Sequence, residues 1–267
     1  MGVLNYPVID CHCHVYPAKI AAKAAAGTDQ FYGSKPSGLN GTLETLLEEN
    51  KKAGITRSLI SSVATTAKQV HAANSFLAEC AALYPESVTA LGTLYPDSET
   101  QEADVEEAIS LGIRAIKLHP DIQGVALDDP RCMRIFELCE GRLPVLLHTG
   151  DYRYDFSNPN RLVKVLRAFP KTQFIGAHFA AYTVWEQAET LFGAENLWVD
   201  CSSSLPFLSD DRAMELIRGF GTERVLFGTD YPMWHPDEAL ARFLRLPLGE
   251  KEKEMILHDN AERFFHF

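Results

Sequence analysis

Eight short apolar runs recur along the chain, each rich in Val, Ile, Leu or Phe: Pro7–His14, Ile55–Val63, Val88–Leu94, Ile113–His119, Pro144–Thr149, Gln173–Phe179, Asn196–Cys201 and Arg224–Thr229. Near-continuous apolar runs of this length are the mark of strands buried on both faces of a parallel sheet. The stretches between them carry helix signals. Leu43, Leu46 and Leu47 fall at helical spacing before a stop at Gly54. Ser98 with Gln101 resembles a capping box for a helix running to Gly112. Asp129-Pro130 and Asn158-Pro159 each read as an N-cap followed by proline in the first turn. Ser209 is placed to cap Asp210–Arg218, His235-Pro236 opens a helix after the eighth strand, and Lys251–Phe265 forms the closing helix.

Eight strands, each followed by a helix, make the count of an α/β single (β/α)8 TIM barrel, and 267 residues is close to the length of about 250 that such a barrel takes. A doubly wound open sheet is the alternative, weakened by the lack of a GxGxxG or Walker loop; Gly33–Gly38 lacks the Gly-Lys-Ser/Thr ending. No linker or repeat divides the chain, so one domain over 1–267 is expected. The connection Val15–Gly41 is longer than the roughly 2–6 residues usual between strand and helix. It reads either as a tolerated surface insertion or as a lid over the barrel mouth.

Composition narrows the partners. The net charge of −11 argues against nucleic acid, which wants a basic face. No apolar run approaches the ~18 residues of a membrane span, and the first residues lack the basic start and apolar stretch of a secretory signal. Six cysteines without a CxxC pair point to a reducing compartment, hence the cytoplasm. The expected partner is a small-molecule substrate; a homo-oligomer is not readable.

Polar residues break the apolar runs at their C-terminal ends. The first run ends Asp10-Cys11-His12-Cys13-His14; strict alternation would put Asp10, His12 and His14 on one face and both cysteines on the other. Lys117 and His119 end the fourth, His148 the fifth, His178 the sixth and Asp230 the eighth. In a parallel barrel these ends meet at one face, where barrel active sites are built. Burying so many polar groups without a purpose would cost roughly 1–3 kcal/mol each. A divalent-metal site gives them one. Asp10 and Asp200, the latter ahead of three serines, are candidates either for orienting a ligand or for plain structural hydrogen bonds. Arg153, just beyond the fifth strand, could fork onto a substrate carboxylate or make a surface salt bridge.

The motifs IDCHCH, IKLHPDIQG, VLLHTGD, FIGAHFA, VLFGTDYP and DNAERFF together resemble the amidohydrolase superfamily, specifically the amidohydrolase-related (amidohydrolase 2) family. That family also contains enzymes like aminocarboxymuconate-semialdehyde decarboxylase. The resemblance implies His12, His14, His148 and Asp230 as metal ligands. His178 is implied as a further ligand or as an acid/base group. Lys117 sits where binuclear members carry a carboxylated, bridging lysine; here it is expected to contact substrate or support a ligand, with one metal rather than two.

A cation so held lowers the pKa of bound water to roughly 7. Asp230 would then take the water's proton, while His178 and His119 would stabilise charge on an intermediate. Zinc is the default metal, with Mn, Fe, Ni or Co as alternatives. The first expectation for function is hydrolysis of a C–O or C–N bond at a carbonyl of a small carboxylated lactone, ester or amide. The alternative is non-oxidative decarboxylation of a small unsaturated or aromatic acid, and a non-catalytic metal-binding scaffold is the remaining reading.

Overall fold

The computed structural model describes residues 4–267. Its strands pair in parallel and in chain order. They are Ile9–His14, Arg57–Ser61, a third strand in two pieces (Val88–Ala90 and Gly92–Thr93), Ile116–Leu118, Val145–Leu147, Phe174–Gly176, Leu197–Asp200 and Val225–Leu226. At the break in the third strand, Leu91 N donates to Ile60 O at 2.8 Å and Gly92 N to Ala115 O at 2.8 Å. The strand therefore hands its hydrogen bonds from the second strand to the fourth without leaving the sheet. The ring closes between the eighth strand and the first: Cys11 N donates to Phe227 O and Asp230 N to His12 O, both at 2.8 Å. The result is the (β/α)8 barrel.

Its core has two shells. Inside the barrel lie Ile9, Cys11, Leu59, Leu91, Ala115, Leu146, Ile175, Ala177, Trp198 and Leu226, with Ala261 and Phe265 of the last helix (Asn260–Phe265) packed against them. The larger shell fills the space between strands and helices. The apolar interior leaves the strands' C-terminal ends as the place for polar groups.

Asp129, Asn158 and Ser209 cap their helices as expected, accepting from Arg131 N, Asn160 N and Arg212 N at 2.9, 2.9 and 3.2 Å. Gly54 ends the second long helix with φ 82°, a conformation that favours glycine. Four expectations need correction. Ser98 is not an N-cap: the helix is Gln101–Ser110, and Ser98 Oγ instead donates to Asp104 Oδ2 at 2.7 Å. Between the sixth and seventh strands only a 3-10 turn forms, Trp185–Leu191. The closing helix is interrupted by a π turn at Met255–Asp259.

The fourth correction touches the site. Register shifts between Asp10 and Cys13, where the first strand carries an extra residue relative to the second. Alternation is lost there: Cys11 packs inside the barrel and Cys13 in the outer shell. Asp10 turns from the histidines to meet Cys13 Sγ at 3.0 Å and Thr229 Oγ1 at 2.6 Å.

Residues 15–41 contain a helix, Ala18–Tyr32, ending at Gly33. Ile20, Ala24, Gly27, Phe31 and Tyr32 on it line the cavity at the strand ends. Among the described residues, no helix is long and apolar enough to cross a membrane.

Candidate active site

Three ligand atoms converge at the barrel seam. His12 Nε2 lies 3.2 Å from His14 Nε2, and Asp230 Oδ1 lies 3.5 Å from the first and 3.3 Å from the second. Bonds of about 2.1 Å to one ion, at angles near tetrahedral, would space three donors about 3.4 Å apart. The donor set thus fits one divalent cation. Backbone conformation aims it: Asp230 adopts φ 64°, a left-handed conformation costly for a non-glycine residue. At Gly228 a Cβ would come within 2.9 Å of His12 Cβ, so only glycine lets the eighth strand approach the first this closely.

Neighbours orient each of these three candidate ligands. His12 Nδ1 donates to Asp200 Oδ2 at 2.9 Å, which leaves a lone pair on Nε2, facing the other two ligand atoms. Asp200 Oδ1 takes His178 N at 3.1 Å and Ser202 Oγ at 2.5 Å. Ser203 Oγ donates to Asp230 Oδ2 at 2.5 Å and accepts from Trp234 Nε1 at 2.9 Å. His14 Nδ1 meets Ser61 Oγ at 3.1 Å. Asp10 Oδ1 accepts from His12 N and Thr229 N, at 3.1 and 2.9 Å, so it ties the two strands that carry the ligands.

Lys117 is buried with Nζ 2.9 Å from His12 Nε2. A second group stands beside this one. His119 and His148 stack with centroids 3.9 Å apart and planes 8° from parallel. His148 Nδ1 lies 3.2 Å from His178 Nε2, while buried His148 Nε2 lacks a hydrogen-bond partner among the described residues, with Asp121 Oδ2 3.7 Å away. A cation cannot lie in the plane of two stacked rings, so His119, Asp121 and His148 make a poorer site than the trio. His178, Phe179 and Ala180 have φ 61°, 54° and 54°, a run of left-handed residues costing roughly 1 kcal/mol or more apiece.

Burial sets the charges. It pushes the His12 imidazole down to about 4, helped by the Lys117 ammonium, and lowers His119, His148 and His178 as well. Burial also brings Lys117 down to about 8. For Asp230 burial works against ionisation, but the surrounding His12, His14 and His178 outweigh it and keep it well below the usual carboxylate range. Neutral imidazoles and an ionised carboxylate are the forms that bind metal.

A pH effect follows. His12 has an ordinary unfolded pKa of about 6.5 and a folded value of about 4, so between these the unfolded chain binds more protons. Stability of the metal-free protein should be full above about pH 6.5 and fall on acidification toward pH 4, by about 3 kcal/mol from His12 alone. Urea unfolding of chelator-treated protein across this range checks it; constant stability would mean that the imidazole is not held neutral.

The structure thus brings His12, His14, Asp230 and Lys117 together. It sets His178 and His148 against each other beside that group, and His119 on His148. Arg153 is committed elsewhere: its fork spans Asp151, Nε–Oδ1 2.9 Å and Nη2–Oδ2 2.6 Å, and Nη1 donates to Phe31 O. Its guanidinium lies over the Phe31, Tyr32 and Tyr154 rings, 4.9–5.3 Å from their centroids. In this geometry it fastens the end of the helix over the mouth. Ser202, Ser203 and Tyr32 also belong to the site; only the serines left a trace in the sequence, as the run after Asp200.

The amidohydrolase family model matches residues 9–267. No curated protein matches. Among solved structures, an uncharacterised TIM-barrel protein from Bordetella bronchiseptica is similar at 26% identity and TM-score 0.80, covering 98% of this chain and 99% of that one. The 5-carboxyvanillate decarboxylase of Sphingomonas paucimobilis is similar at 18% identity and TM-score 0.74, covering 98% and 99%. A dihydroxybenzoic acid decarboxylase of Polaromonas sp. JS666, with bound manganese and the inhibitor 2-nitroresorcinol, is similar at 17% identity and TM-score 0.76, covering 97% of each chain. A match over all but the first eight residues, on a barrel with its His/Asp cluster at the strand ends, makes this chain a member of the amidohydrolase family.

Proposed function

We propose that this protein is a divalent-metal-dependent, non-oxidative decarboxylase of a small aromatic or unsaturated acid. The observation that carries the reading is the cavity of about 650 Å³ that holds the trio. Lys23, Lys68 and Lys117 line it, its walls include Phe31, Phe76, Ile122 and Met233, and Asp230 is its one carboxylate among the described residues. In a chain of net charge −11, this local reversal of sign suits an anion with an apolar body. The named decarboxylases among the structural neighbours favour this reading over hydrolysis, the first expectation from sequence.

His12, His14 and Asp230 hold the metal, with His148 and His178 beside them. Manganese, present in the Polaromonas neighbour, is the ion to load first rather than zinc. When bound, the metal supplies a Lewis acid that draws electron density from the acid. Lys117 offers its N–H donors to the substrate's carboxylate, and His119 lines the same cavity. The reaction breaks one C–C bond, releases CO2 and places one proton on the carbon left behind. Asp230 and His178 handle that proton. Arg153 acts on the substrate indirectly, by holding the helix above it. With six free, buried cysteines, we place the protein in the reducing cytoplasm, working on small molecules and not on nucleic acid.

The test is a comparison of substrate classes. Manganese- and zinc-loaded protein is incubated with 2,6-dihydroxybenzoate and 5-carboxyvanillate, and separately with lactones, esters and amides. CO2 release from an acid is expected; hydrolysis of the second panel without CO2 release from the first would sink the reading. 2-Nitroresorcinol, the inhibitor in the Polaromonas structure, serves as a binding probe.

A further inference from the structure

Tyr32, the last residue of the helix over the mouth, brings its hydroxyl 2.7 Å from His119 Nε2 and 3.5 Å from His148 Nδ1. The direction of each proton follows from the partners. Ile122 N donates to His119 Nδ1 at 3.3 Å, so that nitrogen presents a lone pair and the ring's proton is on Nε2, pointing to Tyr32 Oη. His178 Nδ1 lies 2.9 Å from Ser202 O, a carbonyl that can only accept, so His178 carries its proton there and its Nε2 is bare. His148 Nδ1, 3.2 Å from that bare nitrogen, is then the donor. Tyr32 therefore receives a hydrogen bond from His119, and its other neighbour, whose Nδ1 proton goes to His178, offers it no lone pair.

The hydroxyl hydrogen of Tyr32 is thus left without an acceptor among the described residues, in the wall of the cavity that also holds the trio and Lys117. Hydrogen bonds in series polarise one another, so the Ile122–His119–Tyr32 chain strengthens the donor at its free end. Its position is not left to chance. The Arg153 clamp on Phe31 O, with the guanidinium 5.3 Å from the Tyr32 centroid, fastens this end of the helix.

We infer that the Tyr32 hydroxyl is a specificity-determining contact that donates its hydrogen bond to a phenolate oxygen of the substrate. The inference rests on the site being one for small aromatic acids. His119 is the positioning residue behind Tyr32, and the helix over the mouth takes part in recognition as well as covering the site.

The experiment uses manganese-loaded protein and 2-nitroresorcinol, whose phenol titrates visibly. Tyr32→Phe should weaken binding about 10- to 100-fold, the range for a hydrogen bond to a charged group. It should also raise the pH at which the bound phenol ionises by about one unit. The dimethyl ether of the probe, which keeps the ring and nitro group and carries methoxy groups that cannot ionise, should bind both proteins alike; a merely structural role for Tyr32 would weaken both ligands. His119→Phe leaves the hydroxyl in place and removes the proton that polarises it, so it should shift both readouts the same way and less far. Unchanged affinity and titration in Tyr32→Phe, while wild-type protein binds the probe, overturn the inference and leave the proposed function standing. Failure of wild-type protein to bind the probe overturns the inference together with the substrate class beneath it.

Discussion

Changing His12 and His14 together to alanine is expected to leave a protein that retains no divalent metal through gel filtration. The loss should exceed the roughly 10- to 100-fold that removing an orienting partner of a ligand costs, because two of the three converging donors are gone. The apoprotein should also be less stable. Without His12, Lys117 loses its 2.9 Å partner and Asp200 loses one of its hydrogen bonds, and leaving such a buried group unsatisfied costs about 1–3 kcal/mol. Metal content by mass spectrometry and affinity by calorimetry check the first effect, and urea unfolding the second. Undiminished metal binding would move the centre away from the seam.

Asp230→Asn should act differently. An amide is nearly the same size and still offers an oxygen to the cation, so the variant should load metal, though more weakly. It cannot take up a proton, and turnover should fall by about 10²- to 10⁴-fold, the usual contribution of a positioned acid–base group. The partition matters more than the size: metal content retained while kcat collapses places Asp230 in proton handling. A metal-replete variant turning over at the wild-type rate would take Asp230 out of that role.

Most of the barrel was legible because its strands are buried on both faces and announce themselves as apolar runs. The polar residues that gather at the candidate site were legible for the same reason, as breaks at the ends of those runs. What escaped depends on contacts far apart in sequence. The bulge at Asp10–Cys13 follows from how the first strand pairs with the second, and nothing local in Asp-Cys-His-Cys-His marks it. Arg153 gave equal warrant for a substrate grip and an ion pair; Asp151, two residues away, takes the fork. Tyr32 was hidden in a connection whose length signalled a lid or an insertion but whose path across the mouth is set by tertiary packing. Asp200 looked like either an orienting group or a structural one, and its 2.9 Å contact with His12 Nδ1 makes it both.

The seam between the eighth strand and the first has a temporal consequence. Two of the proposed ligands stand at positions 12 and 14 and the third at 230, so a nascent chain displays its paired imidazoles long before the carboxylate exists. Cation capture by the complete trio must therefore follow synthesis and barrel closure. Once bound, the ion would rivet the two ends of the barrel across the seam between its eighth and first strands. Any route that peels off the first strand would then have to release metal first, so the holoprotein should resist proteolysis that the apoprotein does not, by a margin set by free metal concentration.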